Sequence, residues 1–489
     1  MDKRNDSGGK VLSGFLWRFL ERFSYQIITL AVTVLLQRLL DPEMYGIVSK
    51  VTVITAILLV FVDSGMASAL IQKKDPDDLD FSSVFYFNMA FCLLLYLGLY
   101  TLAPRLAVLL KEEGLVPVMR VLGLTLIVSG LKNVQEAYVR KTMRFKLFFR
   151  STIGGTVFSG ALGIFLALRG YGVWALVWQQ LSNVTVNTVI LWFTVGWRPK
   201  RMFSLQRLKG LFHYGVKLLG ASLLDVGYQK IYPLIIGVTE GNAEMAFFEK
   251  GQHYPNTAND LVMTTMDGVL LPAMAEEQGE KLRLRKMTRR AIQLGSFVVM
   301  PLMAGFAACA EPLVRLAVTA KWLPTVPYLR IFCIIYAFTP LHLANLNAIK
   351  AVGESGTFLI LEILKRGLEA AVLIFTVRYG PYAMALGLLC SELASLGINA
   401  WPNKRILDYS FLAQMKDILP TVLLSMVMAC CVWAVSRLGL SDFLTLLIQI
   451  PLGVAVYALG AGLMKLESFN LLRETLKSLL EKRKAGTTS

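Results

Sequence analysis

Charge is scarce in this sequence. Of 489 residues only 17 % are charged, where an ordinary globular domain carries roughly a quarter. Apolar residues make up 55 % and the mean hydropathy is +0.57. That balance excludes a disordered chain, a coiled coil and a secreted disulfide scaffold. Cysteine is sparse as well. Its six residues, Cys92, Cys309, Cys333, Cys390, Cys430 and Cys431, lie in apolar runs without a C-x-x-C pair. They serve as small hydrophobes, and neither a disulfide framework nor a zinc site is expected. With three histidines in all, no spacing resembles a metal cluster, a Ser-His-Asp arrangement or a phosphate-cradling glycine loop. No cofactor and no metal is expected. A cleavable signal is also missing: Trp17, Arg18, Glu21 and Arg22 interrupt the stretch after MDKRNDSGGK, and no small-residue cleavage site follows. The N-terminus reads as a cytoplasmic tail running into a first span.

Long apolar runs are what the sequence does have. About 20 residues of helix cross the roughly 30 Å hydrocarbon core of a bilayer. Fourteen candidate spans follow, at approximately 12–37, 46–71, 83–109, 115–138, 151–168, 172–197, 211–237, 244–274, 291–310, 328–349, 357–377, 382–401, 417–436 and 442–464. The first, seventh and eighth are the least apolar. Loop charge tests the count independently. With the N-terminus inside, the cytoplasmic segments hold 31 of the 50 Lys and Arg and the outside segments hold 7. This positive-inside asymmetry fits an even number of helices with both ends cytoplasmic. The net charge of +17 is therefore mostly topology, and no nucleic-acid partner is expected. Basic interfacial stretches at 140–150, 198–209 and 281–290 suit anionic lipid headgroups. Past the last span, Phe469, Leu472, Leu476, Leu479 and Leu480 recur at helical spacing, which reads as an amphipathic surface helix. The outside loops are too short for a catalytic domain.

An internal duplication is suggested. LLDPEMYG at 39–46 and GVTEGNAEMAFF at 237–248 each place an acidic turn before a more polar span. Six intervening spans preserve orientation, so the repeat would be parallel. The expected division is 1–200 and 201–404 as two six-helix lobes, 405–464 as two further transmembrane helices, and 465–489 as a cytoplasmic tail.

An ionisable residue within a span costs several kcal/mol unless paired or hydrated, so each is a candidate for function. The last two spans hold none between their ends, while the first, seventh, eighth and eleventh hold many. Arg18 and Arg22 share a helix face with Glu21 beside them. They either snorkel to the interface or form a bidentate-capable pair that meets a phosphate. The eleventh span carries Glu362, Lys365, Arg366 and Glu369 at i, i+3 and i+4 spacings, as a structural network or as a gate or ligand site. The seventh carries Lys217, Asp225 and Lys230; the eighth carries Glu249 and Lys250 after a turn. His253, Asp260 and Asp267 follow at intervals of seven, nearly on one face that should look at water or protein. That face serves as a hydrated surface or a proton or cation site. His213 and His342 are assigned no role. Gly154, Gly155, Gly160 and Gly163, with Pro233 and Pro301, suit close or bending helix contacts.

Beyond these patterns, LLQRLLDPEMYGIVSK followed by FVDSGMASALIQKKD resembles the polysaccharide transporter (Wzx-type) branch of the multidrug/oligosaccharidyl-lipid/polysaccharide (MOP) flippase superfamily. IYPLIIG, EPLVRLAVTAKWLPTVPYLRIFCI, NLNAIKAVGESGTFLILEILKR and MKDILP continue the resemblance in order along nearly the whole chain. It implies an all-α polytopic fold of two six-helix bundles in a V, MATE-like, with two extra C-terminal helices. It also implies a bacterial cell-membrane flippase, functional as a monomer and not an enzyme, that moves undecaprenyl-diphosphate-linked oligosaccharide to the outer leaflet by alternating access. Other polysaccharide-assembly proteins are implied partners. Arg18, Arg22, Lys217, Lys250, Lys365 and Arg366 are then placed against diphosphate or sugar, although only the first-helix arginines correspond, loosely, to a cation that relatives share. Asp225, Glu249, Asp260, Glu362 and Glu369 are the gating or ion-coupling candidates. The chain departs from relatives in having Ala246-Phe247-Phe248 for Gly-Tyr-Tyr, and in the block LLPAMAEEQ, where relatives often have a serine. A multidrug-type cation-coupled antiporter on the same fold is the alternative. It predicts a cavity of carboxylates and aromatics, whereas these candidates are at least as cationic as acidic. A membrane glycosyltransferase ranks last.

Overall fold

The computed structural model describes residues 23–63, 66–73, 75–471 and 473–474. Every regular element in them is an α-helix or a short 3-10 turn, as hydrocarbon demands of a backbone that must satisfy its own hydrogen bonds. In chain order they are α1 (Phe23–Leu39), α2 (Pro42–Asp63), α3 (Met66–Gln72), α4 (Asp78–Leu109), α5 (Leu115–Lys141), α6 (Lys146–Leu168), α7 (Val173–Thr194), α8 (Leu205–Thr239) and α9 (Asn242–Glu276). Then follow α10 (Lys281–Ala308), α11 (Ala310–Val318), α12 (Thr325–Ala337), α13 (Thr339–Ala351), α14 (Ser355–Thr376), α15 (Pro381–Leu407), α16 (Phe411–Val435) and α17 (Asp442–Leu463). Among the described residues nine segments are long and apolar enough to cross a membrane, with α12 and α13 counted together. The other five expected spans are helical too. They are α1, α7, α8, α9 and α14, which are shorter or more polar. The tenth span is broken at Phe338, because Pro340 in the next turn has no N–H to continue the ladder.

The chain forms two compact units that divide inside α9, between Ala246 and Phe247. In the first, α6 and α7 pack through small residues. A Cβ on Gly155 would stand 3.0 Å from the Asn183 carbonyl, and one on Gly163 2.8 Å from the Gln179 side chain. Glycine at these points lets the backbones approach, and Asn183 donates to Ser159 Oγ at 3.0 Å. One end of this unit is fastened by charge. Asp77 and Asp80 cap α4 reciprocally, with Asp80 N–H donating to Asp77 at 2.9 Å and Asp77 N–H to Asp80 at 3.1 Å. Lys73 pairs with Asp80 and Lys200 with Asp78, each at 2.5 Å. Phe81, Phe85 and Trp197 form an aromatic core behind them.

At the other end of the first unit the segments around LLDPEMYG and GVTEGNAEMAFF meet. Pro42 and Asn242 begin α2 and α9 at an offset of 200 residues. Gly46 lies directly against the Asn242 backbone, where no side chain fits. Asn242 donates to Glu112 at 2.8 Å, and the buried Lys50 ammonium donates to the Leu110 carbonyl at 3.3 Å.

The second unit is centred on α10, α13, α15 and α16, where Leu284, Ile292, Leu341, Ala344, Leu396 and Ile418 are buried together. A buried amide cluster ties three of these helices. Asn345 and Gln414 exchange bonds of 2.8 and 2.9 Å, and Asn403 donates to Asn345 at 2.7 Å. Mutually bonded buried amides of this kind help fix helix register in an otherwise apolar interior. α17 packs on α16 and α10, with Gln449 donating to Val432 O at 2.9 Å and Tyr457 OH to Phe297 O at 2.8 Å.

Candidate functional site

The densest intramembrane polar cluster of the second unit is built on α14. Helical spacing makes its four charges neighbours: Lys365 lies 2.6 Å from Glu362 and Arg366 3.2 Å from Glu369. Glu369 is buried, and the Lys365 side chain is only 13 % exposed. The adjoining α15 presents Ser391, Ser395 and Asn399 on one buried face, with Glu392 beside them. His342 ties α13 to α15. Its Nδ1 lies 2.7 Å from the Asn399 amide nitrogen and its Nε2 3.0 Å from Glu392. With the amide donating to Nδ1, the ring proton sits on Nε2 beside the carboxylate. The charges of Lys365 and Arg366 also act on Glu392.

α9 and α12 extend the cluster. Tyr336 bonds Gln252 and lies within the field of Asp260 and Glu392. Thr339 donates to Asn259 at 2.7 Å, and Asn347 donates to Asp267 at 2.8 Å. Three cation-capable groups, His342, Lys365 and Arg366, thus face the carboxylates Glu362, Glu369 and Glu392. Such a set can exchange partners or release a cationic side chain to an incoming anion.

The structure brings some of the sequence candidates together and not others. Glu362, Lys365, Arg366 and Glu369 converge, and Asp260 reaches the same cluster through Tyr336 while accepting from Asn256 at 3.1 Å. The face of His253, Asp260 and Asp267 is exposed, and Asp267 looks onto α13. Glu249 and Lys250 are half-buried near the start of α9. Asp225, in the other unit, is exposed and accepts from Gln229 at 3.1 Å. Arg18 and Arg22 lie outside the described residues, as does the side chain of Lys217. Leu472, Leu476, Leu479 and Leu480 of the tail lie outside them also, while Phe469 packs 6.4 Å from the Phe297 ring.

Sequence reasoning missed His342, Glu392, Asn399 and Tyr336. A carboxylate inside the apolar run YAMALGLLCSELASLGIN was the available signal for Glu392. Concentrating the intramembrane charge in the first, seventh, eighth and eleventh spans also passed over Lys50. The lone histidine had no local signal, because its partners lie 50 and 57 residues away.

A second feature of this unit is apolar. A groove of about 970 Å³ runs between α10 and α17, lined by Pro301, Leu302, Val432, Ile450, Val454 and Tyr457. Gln449 and Arg473 are its polar lining residues. Its length of exposed hydrocarbon suits an aliphatic chain, and the arginine suits an anion.

Comparison with known proteins gives the family and the fold. The family model described as polysaccharide biosynthesis protein matches residues 35–327, well over half of the chain. The chain belongs to the polysaccharide biosynthesis protein family. The succinoglycan biosynthesis transport protein ExoT of Rhizobium meliloti (strain 1021) is 22 % identical over 75 % of this chain and 74 % of its own. Among solved structures, the lipid II flippase MurJ in an inward closed conformation superposes with a TM-score of 0.74 at 16 % identity, covering 92 % of this chain and 98 % of its own. An inward-facing multidrug resistance MATE family transporter of the MOP superfamily gives 0.62 at 16 % identity, covering 81 % and 99 %. The fold of this family member is therefore the all-α, multi-pass MOP fold, as the resemblance in LLQRLLDPEMYGIVSK and the later motifs implied.

Proposed function

We propose that this family member is a flippase for undecaprenyl-diphosphate-linked oligosaccharide, moving it from the cytoplasmic to the outer leaflet of a bacterial cell membrane by alternating access. Transport in polysaccharide biosynthesis is the activity named for ExoT, and lipid II flipping is that named for MurJ. The observation that carries the reading is the pairing, in one unit, of a cluster on α13–α15 that holds Lys365 and Arg366 among carboxylates with a large apolar groove on α10 and α17. An amphiphile with a phosphate headgroup and a long hydrocarbon tail needs both. A diphosphate cannot enter hydrocarbon unaided, and Lys365 and Arg366 replace part of its hydration with charge-assisted hydrogen bonds. The tail stays in lipid or along the groove, so only the headgroup is carried. Arg18, Arg22, Lys217 and Lys250 complete the cationic path, and Asp225, Glu249, Asp260, Glu362 and Glu369 exchange partners as it opens and closes. Glu392 and His342 join them as coupling groups. Lobes 1–200 and 201–404 move against each other, both termini face the cytoplasm, and the monomer is the working unit alongside other polysaccharide-assembly proteins. No bond is made or broken in the cargo.

Proteoliposomes with a fluorescent undecaprenyl-diphosphate oligosaccharide test this. Wild type moves the lipid, while Arg18→Ala, Arg22→Ala and Lys365→Ala fold but slow it by about tenfold or more, the scale of one lost charge-assisted contact. Exchange of an organic cation for protons, with no movement of the lipid, replaces the flippase with the antiporter.

A further inference from the structure

A second, polar pocket of about 440 Å³ opens at the end of the second unit where α10 and α16 begin and α17 finishes. It shares no residue with the α13–α15 cluster or the apolar groove. Arg289 of α10, Lys416, Asp417 and Thr421 of α16, and Lys465 and Ser468 after α17 line it. The chain reaches this position through a tight reversal. Lys465 takes a left-handed φ of 49°, and Leu466 N–H returns to the Ala461 carbonyl at 3.1 Å. Leu466 and Phe469 then pack on Phe297, Leu424 and Ala461. The polar residues of the same segment are left facing the pocket.

One of its two carboxylates is already committed. Asp417 accepts from Arg289 at 2.8 Å on one oxygen and from the Tyr409 hydroxyl at 2.6 Å on the other. Burial and the neighbouring Asp417 push the Tyr409 hydroxyl far above its ordinary value, so it stays a donor. Glu467, the remaining acid, acts on Arg289. Lys416 and Lys465 have no ion-pair partner among the described residues and are exposed. The pocket therefore holds three cations against two anions, with two ammonium groups uncommitted, at a helix-end level where lipid headgroups lie.

We propose that this pocket binds the phosphate of an anionic lipid headgroup, with Lys416 and Lys465 contacting the phosphate and the Arg289–Asp417–Tyr409 chain as its fixed wall. The volume suits a glycerophosphate, and a compact ammonium suits a phosphate as a point charge. A lipid held there bridges α10, α16 and the end of α17, stabilising the packing of the last two helices whatever the transporter carries.

Titration of the purified full chain in detergent, followed by native mass spectrometry, tests this with phosphatidylglycerol, phosphatidylcholine and inorganic phosphate as probes. Wild type retains one phosphatidylglycerol at concentrations where phosphatidylcholine is lost. Lys416→Ala/Lys465→Ala weakens that retention by roughly tenfold to thirtyfold, on about 1 kcal/mol per basic residue. Lys416→Arg/Lys465→Arg keeps it, as does Lys209→Ala/Lys404→Ala, which removes two exposed lysines elsewhere. Competition by inorganic phosphate shows that the phosphate alone is read; its absence assigns the site to the lipid form. Equal retention by the Lys416→Ala/Lys465→Ala variant and its Lys209→Ala/Lys404→Ala control, both monodisperse, overturns the proposal.

Discussion

α14 and α17 are both 22 residues long and belong to the same unit, yet they solve different problems. α17 carries one ionisable residue, Asp442 at its first position, and buries Thr445 and Gln449 toward α16. Its identity as a span is hydrophobicity alone. α14 carries Glu362, Lys365, Arg366 and Glu369 in its middle and fails a purely hydropathic test. It is tolerable in a membrane because its two cations pair with its own two carboxylates, Lys365 with Glu362 and Arg366 with Glu369. A helix that only needs to stay in the bilayer is defined by what surrounds each methyl group. A helix that works there is defined by what faces each charge.

The largest break in this comparison comes from the carboxylate beside α14. Glu392→Ala takes away the group 3.0 Å from His342 Nε2 and is expected to cost about 3 kcal/mol, the upper end of the scale for leaving a buried polar group without its partner. Thermal unfolding in nanodiscs checks it, and Glu392→Gln should recover much of the loss. An unchanged midpoint for Glu392→Ala would mean that the cluster is hydrated and loosely coupled.

Packing governs α17 instead. Gly460 lies directly against the Leu424 side chain, so a Cβ there forces Leu424 to give way. Gly460→Ala should destabilise by about 1–3 kcal/mol, read as a lowered midpoint with transport per folded molecule unchanged. The same substitution on α14 runs the other way. A Cβ on Gly367 meets nothing within 4 Å, and Gly367→Ala should stabilise by up to about 1 kcal/mol through helix propensity. Matching signs for the two glycine variants would erase the distinction.

The smallest effect sharpens the contrast from outside the bilayer. The backbone N–H of Asp80 holds the Asp77 carboxyl below its ordinary value, with Arg207 and Lys73 adding to it. A depressed carboxyl stabilises the fold above its unfolded pKa, and that contribution is lost as pH falls through the folded one. Asp77→Asn should therefore flatten the acid limb of the midpoint-versus-pH curve while barely changing the midpoint at neutral pH. A wild-type acid limb in the variant would remove Asp77 from the account.

How much of this was legible beforehand differs between the same two helices. Apolar length located α17. The charges of α14 were equally visible, since i, i+3 spacing makes Glu362 and Lys365 neighbours in any helix. Their surroundings were not. His342 looked like a lone histidine near a span end, and Glu392 one acidic residue in an apolar run. The similar acidic turns around Gly46 and Asn242 were visible, but their direct contact was not.

The sequence by itself determined the class of the molecule, the order of its apolar helices along the chain and its family. It could do so because hydrocarbon leaves a backbone only its own hydrogen bonds, making helix formation a local matter of about 20 residues. Only the tertiary structure decided which charges share a site. His342, Lys365 and Glu392 come from three helices, and the choice of partner rests on packing geometry across 50 residues or less, where a shift of one residue in register turns a side chain to another face of its helix.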